Sequence, residues 1–161
     1  MKTFEIKLAE LTSPRDICYI AEIERCKYYT YTFQSDTEVI KHGKAADNEW
    51  ISGTWGNRIY RQAGGIPGWG GWSLDDTSAR KMREGMSRHF PNLTKDDIII
   101  IVNDYTAELD KEGDLEIDRV LLNEEHELIS QHVQIHGVAP KLNIQKTRVR
   151  TKAKMDLFEF V

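Results

Sequence analysis

One helix pattern constrains this chain more than any other feature. From residue 118 to 136 the apolar residues Leu121, Leu122, Leu128, Ile129 and Val133 recur at helical spacing. At about 100° per residue they form a single stripe, the face a helix buries against a core. Glu125 stands four residues after Leu121 and three before Leu128, so it projects from the middle of that stripe. Glu124 and Glu127 fall outside it and reach water. A carboxylate on a buried face is costly unless it is ion-paired or holds a metal. Two readings follow: a stripe-edge Glu paired with a cation, or a metal-binding carboxylate aimed into a cleft. Mg²⁺ commonly takes one or two carboxylates and fills its remaining positions with water and substrate phosphate.

The rest of the pattern is mixed. Residues 17–24 (ICYIAEIE) read as a strand. Residues 28–33 (YYTYTF), aromatic and β-branched, read as another. The polar stretch 34–37 is a turn, and 38–42 (EVIKH) is the returning strand closed by Gly43. These give a hairpin or a three-strand meander. Residues 54–63 form a short helix stopped by Gly64-Gly65, and 64–72 (GGIPGWGGW) is a loop. A polar helix covers 76–90. The run 98–102 (IIIIV) is a strand buried on both faces, and 108–118 is a surface turn. From 144 to 155 the chain alternates, with Lys146, Arg148, Arg150, Lys152 and Lys154 on one face. The expected fold is α/β in the α+β sense: one domain over residues 1–161, with a small central, mainly antiparallel sheet flanked by helices and a basic C-terminal strand.

Composition sets limits. With 40% hydrophobic and 30% charged residues, the balance is that of a globular protein that needs no staples. Cys18 and Cys26 form no CxxC pair and are too few for a disulfide framework. No apolar run reaches the ~20 residues of a membrane span, and the N-terminus does not read as a signal peptide. An intracellular protein without a membrane partner is expected. The net charge of −4 argues against a non-specific nucleic-acid coat, but the basic strip can still track phosphate. No P-loop, GxGxxG or HExxH is present, and His132 and His136 at i, i+4 lack the companions of a zinc site.

The order of these pieces resembles the GIY-YIG nucleases. Lys41-His42-Gly43 occupies the place of YIG, with Lys44 following. Gly56-Asn57-Arg58-Ile59-Tyr60-Arg61-Gln62 matches the arginine segment. Glu125-His126-Glu127-Leu128-Ile129 matches E-x-x-L-I, and Pro140-Lys141-Leu142-Asn143 matches a terminal P-x-x-N. Lys41 replaces the second tyrosine, as in some restriction enzymes of that family, and Gln62 stands where histidine is common. For the first tyrosine, Tyr31 fits the spacing to Lys41, and Tyr19 in Ile17-Cys18-Tyr19 is the alternate.

The resemblance implies a metal-dependent DNA endonuclease, restriction-like or phage-borne, acting on double-stranded DNA, with a homodimer as its expected assembly. Glu125 would hold Mg²⁺ or Mn²⁺. Arg58 would stabilise the developing phosphate charge, and Tyr31 would take the proton of the attacking water. Lys41, helped by Lys44, would favour the phenolate. His42, Gly43, Gln62 and Asn143 would support the site, and residues 146–154 would contact DNA. A non-cleaving nucleic-acid-binding module and a protein-interaction domain built on the Trp loop are the rival readings.

Overall fold

The computed structural model describes residues 1–46, 58–71, 74 and 76–143. The expected basic strand, with Lys146, Arg148, Arg150, Lys152 and Lys154, lies outside the described residues, as do residues 54–57 of the short helix and Trp72.

The fold is α+β. In chain order come β1 (Lys2–Lys7), α1 (Ala21–Glu24), β2 (Tyr28–Gln34), β3 (Val39–Ala46), α2 (Arg58–Ala63), α3 (Thr77–His89), β4 (Ile99–Asp104), α4 (Thr106–Leu109) and α5 (Asp114–His136). The four strands pair antiparallel in the order β1-β4-β2-β3. β2 and β3 form the expected hairpin. Its turn is tied by Ser35 N–H to the Glu38 carbonyl at 2.9 Å, with a bulge between Phe33 and Gln34.

Strand alternation explains the core. Tyr29, Tyr31 and Phe33 share one face of β2 with Ile100 and Val102 of β4 and Ile6 of β1, and all are buried. Ile59 and Ala63 of α2, Met82 and Met86 of α3, and Ile17 and Ile23 join the same cluster. Thr30 and Thr32 occupy the opposite face. A smaller cluster, Leu109, Ile117 and Leu121, anchors the first half of α5 against Tyr28 and Tyr105. Apolar burial at about 25 cal/mol per Å² drives both clusters, and the antiparallel ladder satisfies the backbone that goes with them.

Four expectations change. Residues 17–24 are not a strand: Pro14–Tyr19 is a 3-10 helix and Ala21–Glu24 one short α-turn. Pro14 sits at its first position, and Asp16 Oδ2 accepts from the N–H of Thr12 and of Ser13, which starts a helix rather than a ladder. The isoleucine run is fully buried on one face only, since Ile99 and Ile101 are half-buried while Ile100 and Val102 are sealed. β3 does not stop at Gly43 but runs on to Ala46. Residues 108–118 hold the end of α4 and the first turn of α5, which begins at Asp114 because Asp114 and Glu116 suit a helix N-terminus. β1 was not foreseen. Lys2–Lys7 pairs along the whole of β4.

Two further points bear on function. The loop tryptophan Trp69 packs back on the domain: its indole N–H donates to the Ala63 carbonyl at 2.8 Å, and Lys95 lies 5.0 Å over its ring. Among the described residues no helix is long and apolar enough to cross a membrane.

Candidate active site

β3 lies at the end of the strand order, and α5 packs against it. This sets the deepest part of the site. Down one line of α5 the buried residues are Ile117, Leu121 and Glu125. The first two enter the small apolar cluster, and the third carries the same helix face on toward the hairpin. Glu125 is fully buried. Its neighbour Glu124 is held outside by the Tyr105 hydroxyl, which donates to Oε2 at 3.1 Å. The stripe is shorter than its letters suggest, since Leu128 and Ile129 are half-buried and Val133 is exposed.

Tyr31 faces Gly43 across the hairpin. Its ring lies over the glycine so closely that a Cβ there would stand 2.3 Å from Tyr31 Cζ and 2.4 Å from its hydroxyl oxygen. The strand therefore needs glycine at 43 for space, at an ordinary backbone conformation. Tyr31 is fully buried, flanked by Tyr29 at 6.0 Å and Phe33 at 5.8 Å between ring centroids.

Three groups from other elements act on the Tyr31 phenol. Burial pushes its pKa above the ordinary value. The Arg58 charge and the Gln62 amide, both from α2, pull it back, and the Glu125 charge raises it further. Tyr31, Arg58, Gln62 and Glu125 are thus brought together from β2, α2 and α5. Arg58 is the exposed member, and Gln62 is buried. Neither the Tyr31 hydroxyl, nor that of Tyr29, nor Oε1 of Gln62 completes a hydrogen bond.

The hairpin register corrects part of the lysine expectation. Lys41 lies opposite Phe33, two pairs along from Tyr31, and shares its face of the sheet. Lys44 lies opposite Thr30, on the other face. The Arg58 charge bears on Tyr31, but burial outweighs it, so the phenol stays protonated at neutral pH. Tyr19, the alternate, is 64% exposed at the end of its 3-10 helix, outside the hairpin.

His42 points away from Tyr31, and its Nδ1 lies 2.7 Å from Thr32 Oγ1. Burial pushes its pKa down to about 4, with the His132 ring lowering it and the Glu125 charge opposing. It is neutral at pH 7. Asn143 clamps the same residue from outside. Its Oδ1 accepts from the His42 N–H at 2.8 Å, and its Nδ2 donates to the His42 carbonyl at 2.9 Å. One side-chain amide thus does for β3 what a further strand would do.

Tyr29 is absent from the set that the sequence pattern proposed, yet Arg58 acts on its phenol. The Arg58 backbone N–H and charge both pull on its phenol, while burial and the neighbouring Tyr31 push its pKa up. The period-2 pattern that placed Tyr31 carried this signal.

The donor set suits a hard cation. Glu125 supplies a buried carboxylate whose charge reaches the Tyr31 phenol, and carboxylate oxygen is the ligand chemistry of Mg²⁺ and Mn²⁺. Among the described residues no three His, Cys, Asp or Glu side chains gather to hold a metal ion, so such a cation would draw its other ligands from water and phosphate. No family model, curated protein or solved structure matches the chain.

Proposed function

We propose that this chain is a Mg²⁺- or Mn²⁺-dependent DNA endonuclease of GIY-YIG type that hydrolyses phosphodiester bonds. The observation that carries the reading is the convergence of Tyr31, Arg58 and Glu125. They come from three separate elements, and the charges of Arg58 and Glu125 both bear on the Tyr31 phenol. An arginine, a buried carboxylate and a phenol at one point form the set that a phosphoryl-transfer site requires.

In this reading Glu125 holds the cation, which when bound supplies charge for the phosphate and lowers the pKa of a water. Arg58, at the exposed end, meets the phosphate and stabilises charge on its oxygens. Tyr31 takes the attacking water's proton in its phenolate form. Gly43 leaves room for the Tyr31 ring, Asn143 fixes the strand carrying Gly43, and Gln62 faces the phenol. Tyr31 and Glu125 are sealed from solvent in the free protein, so phosphate entry requires the residues covering them to shift. The substrate is double-stranded DNA, with residues 146–154 as a second contact. Two copies would cut the two strands.

The test is cleavage of supercoiled plasmid by wild type and by Arg58→Ala, with Mg²⁺, with Mn²⁺ and with chelator. Discrete products from wild type with metal, and a loss of at least a hundredfold in Arg58→Ala, support the reading. A folded wild type that binds DNA but cuts none in either metal turns it into a nucleic-acid-binding module.

A further inference from the structure

Alternation along β2 puts Tyr29 and Tyr31 on one face, with ring centroids 6.0 Å apart. Both side chains are fully buried, and both hydroxyl oxygens lack a hydrogen-bond partner. Gln62 Oε1, from α2, is buried and unmatched as well. Stranded buried hydroxyls are rare because they forfeit their hydration with nothing in return. Two stand on adjacent same-face positions, and the charge of the exposed Arg58 reaches both phenols. Phenylalanine at position 29 would pack the same core without the penalty, as Phe33 does two residues on.

Resting on the nuclease reading, we propose that Tyr29 is a second phosphate-contacting residue: its hydroxyl donates, beside Arg58, to a non-bridging phosphoryl oxygen. The chemistry fits that role. Tyr29 is held as a neutral phenol, and hence as a donor, by burial and by the neighbouring Tyr31. Its hydroxyl lies near the backbone N–H and the charge of Arg58, so a neutral and a charged donor face the same oxyanion. Tyr29 and Tyr31 then divide the work. Tyr31, which also feels Gln62 and Glu125, handles the water, and Tyr29 handles the phosphate.

Tyr29→Phe removes the hydroxyl and keeps the ring. The probe is inorganic phosphate, read as the rise in thermal midpoint of the whole protein against chloride at equal ionic strength. The expected result has three parts. Without phosphate the variant melts at or above the wild-type temperature. Its affinity for phosphate falls at least tenfold. In plasmid cleavage its kcat falls at least tenfold while its KM changes less than threefold. Wild-type phosphate affinity together with wild-type kcat in a folded Tyr29→Phe overturns the proposal. Phosphate that protects wild type through Tyr29, in a protein that cuts no DNA, keeps the phosphate site and removes the nuclease reading instead. Should the variant fold poorly, phosphate titration of wild type carrying ring-labelled tyrosine decides: a shift of the Tyr29 signal supports the contact, and an unmoved signal refutes it.

Discussion

Tyr31 and Gly43 are cross-strand partners whose contact is tight enough to exclude any side chain at 43: a Cβ there would lie 2.3 Å from Tyr31 Cζ. The ring is wedged between Tyr29 and Phe33, so it cannot swing aside cheaply. Gly43→Ala is therefore an overpacking change, expected to cost about 1–3 kcal/mol. It should also displace the phenol from Arg58 and Glu125 and reduce cleavage far more than stability. Urea unfolding and single-turnover cleavage on the same preparation check both halves. Unchanged values in both would contradict the geometry.

Asn143 holds both backbone groups of His42. Asn143→Ala strands a buried N–H and a buried carbonyl, at about 1–3 kcal/mol for each. The expected result is a clear drop in the urea midpoint. Hydrogen exchange should accelerate at the His42 amide first, because that amide is the one uncovered. Equal exchange in both proteins would show that the clamp is not formed in solution.

Acid should weaken the fold through His42. Its pKa in the folded chain lies near 4, below the ordinary 6.5. The folded state therefore prefers the neutral ring, and this stabilisation is complete above pH 6.5. As pH falls from 6.5 toward 4, the unfolded chain binds the proton first, and stability drops by about 1.4 kcal/mol per pH unit. Thr32, His132, Glu125 and Asn143 surround the group. His42→Gln should flatten the pH dependence between 7 and 5 relative to wild type. Parallel curves would count against the buried neutral imidazole.

The pH dependence of cleavage has the same sense but extends to higher pH. Tyr31 acts as phenolate, and its pKa is raised above 10 by burial. At neutral pH the active form is scarce and grows tenfold per pH unit. The single-turnover rate should climb with a log slope near one from pH 6.5 to at least pH 9. A plateau below pH 8 in wild type would assign the proton to another group, and Tyr31→Phe should remove the climb.

Local pattern carried much of this structure. The Tyr-rich strand, its polar turn and the long amphipathic helix follow from periods of 2 and 3.6, and all three stand where expected. Glu125 was legible because a carboxylate in an apolar stripe breaks that pattern. The misread parts depend on information that periodicity lacks. ICYIAEIE is as apolar as a strand, but Ser13-Pro14 and Asp16 just ahead of it start a 3-10 helix. β1 is short and carries charges at Lys2, Glu5 and Lys7, and only its pairing with β4 makes it a strand. Register was the largest loss. The hairpin spacing suggested Lys41 as the partner of Tyr31, but the strand runs two residues further on and brings Gly43 there. The Arg58 charge also favours the phenolate, from a helix whose docking no local pattern encodes.

The most direct measurement is plasmid cleavage by wild type and Glu125→Gln, with folding of both checked by circular dichroism. The variant keeps the shape of the buried side chain and removes its charge. Metal-dependent cutting by wild type, with a rate at least a thousandfold lower in a folded Glu125→Gln that still binds DNA, is the result expected of a metal-holding carboxylate. Equal cutting by the two proteins would contradict it and reduce Glu125 to a buried structural residue.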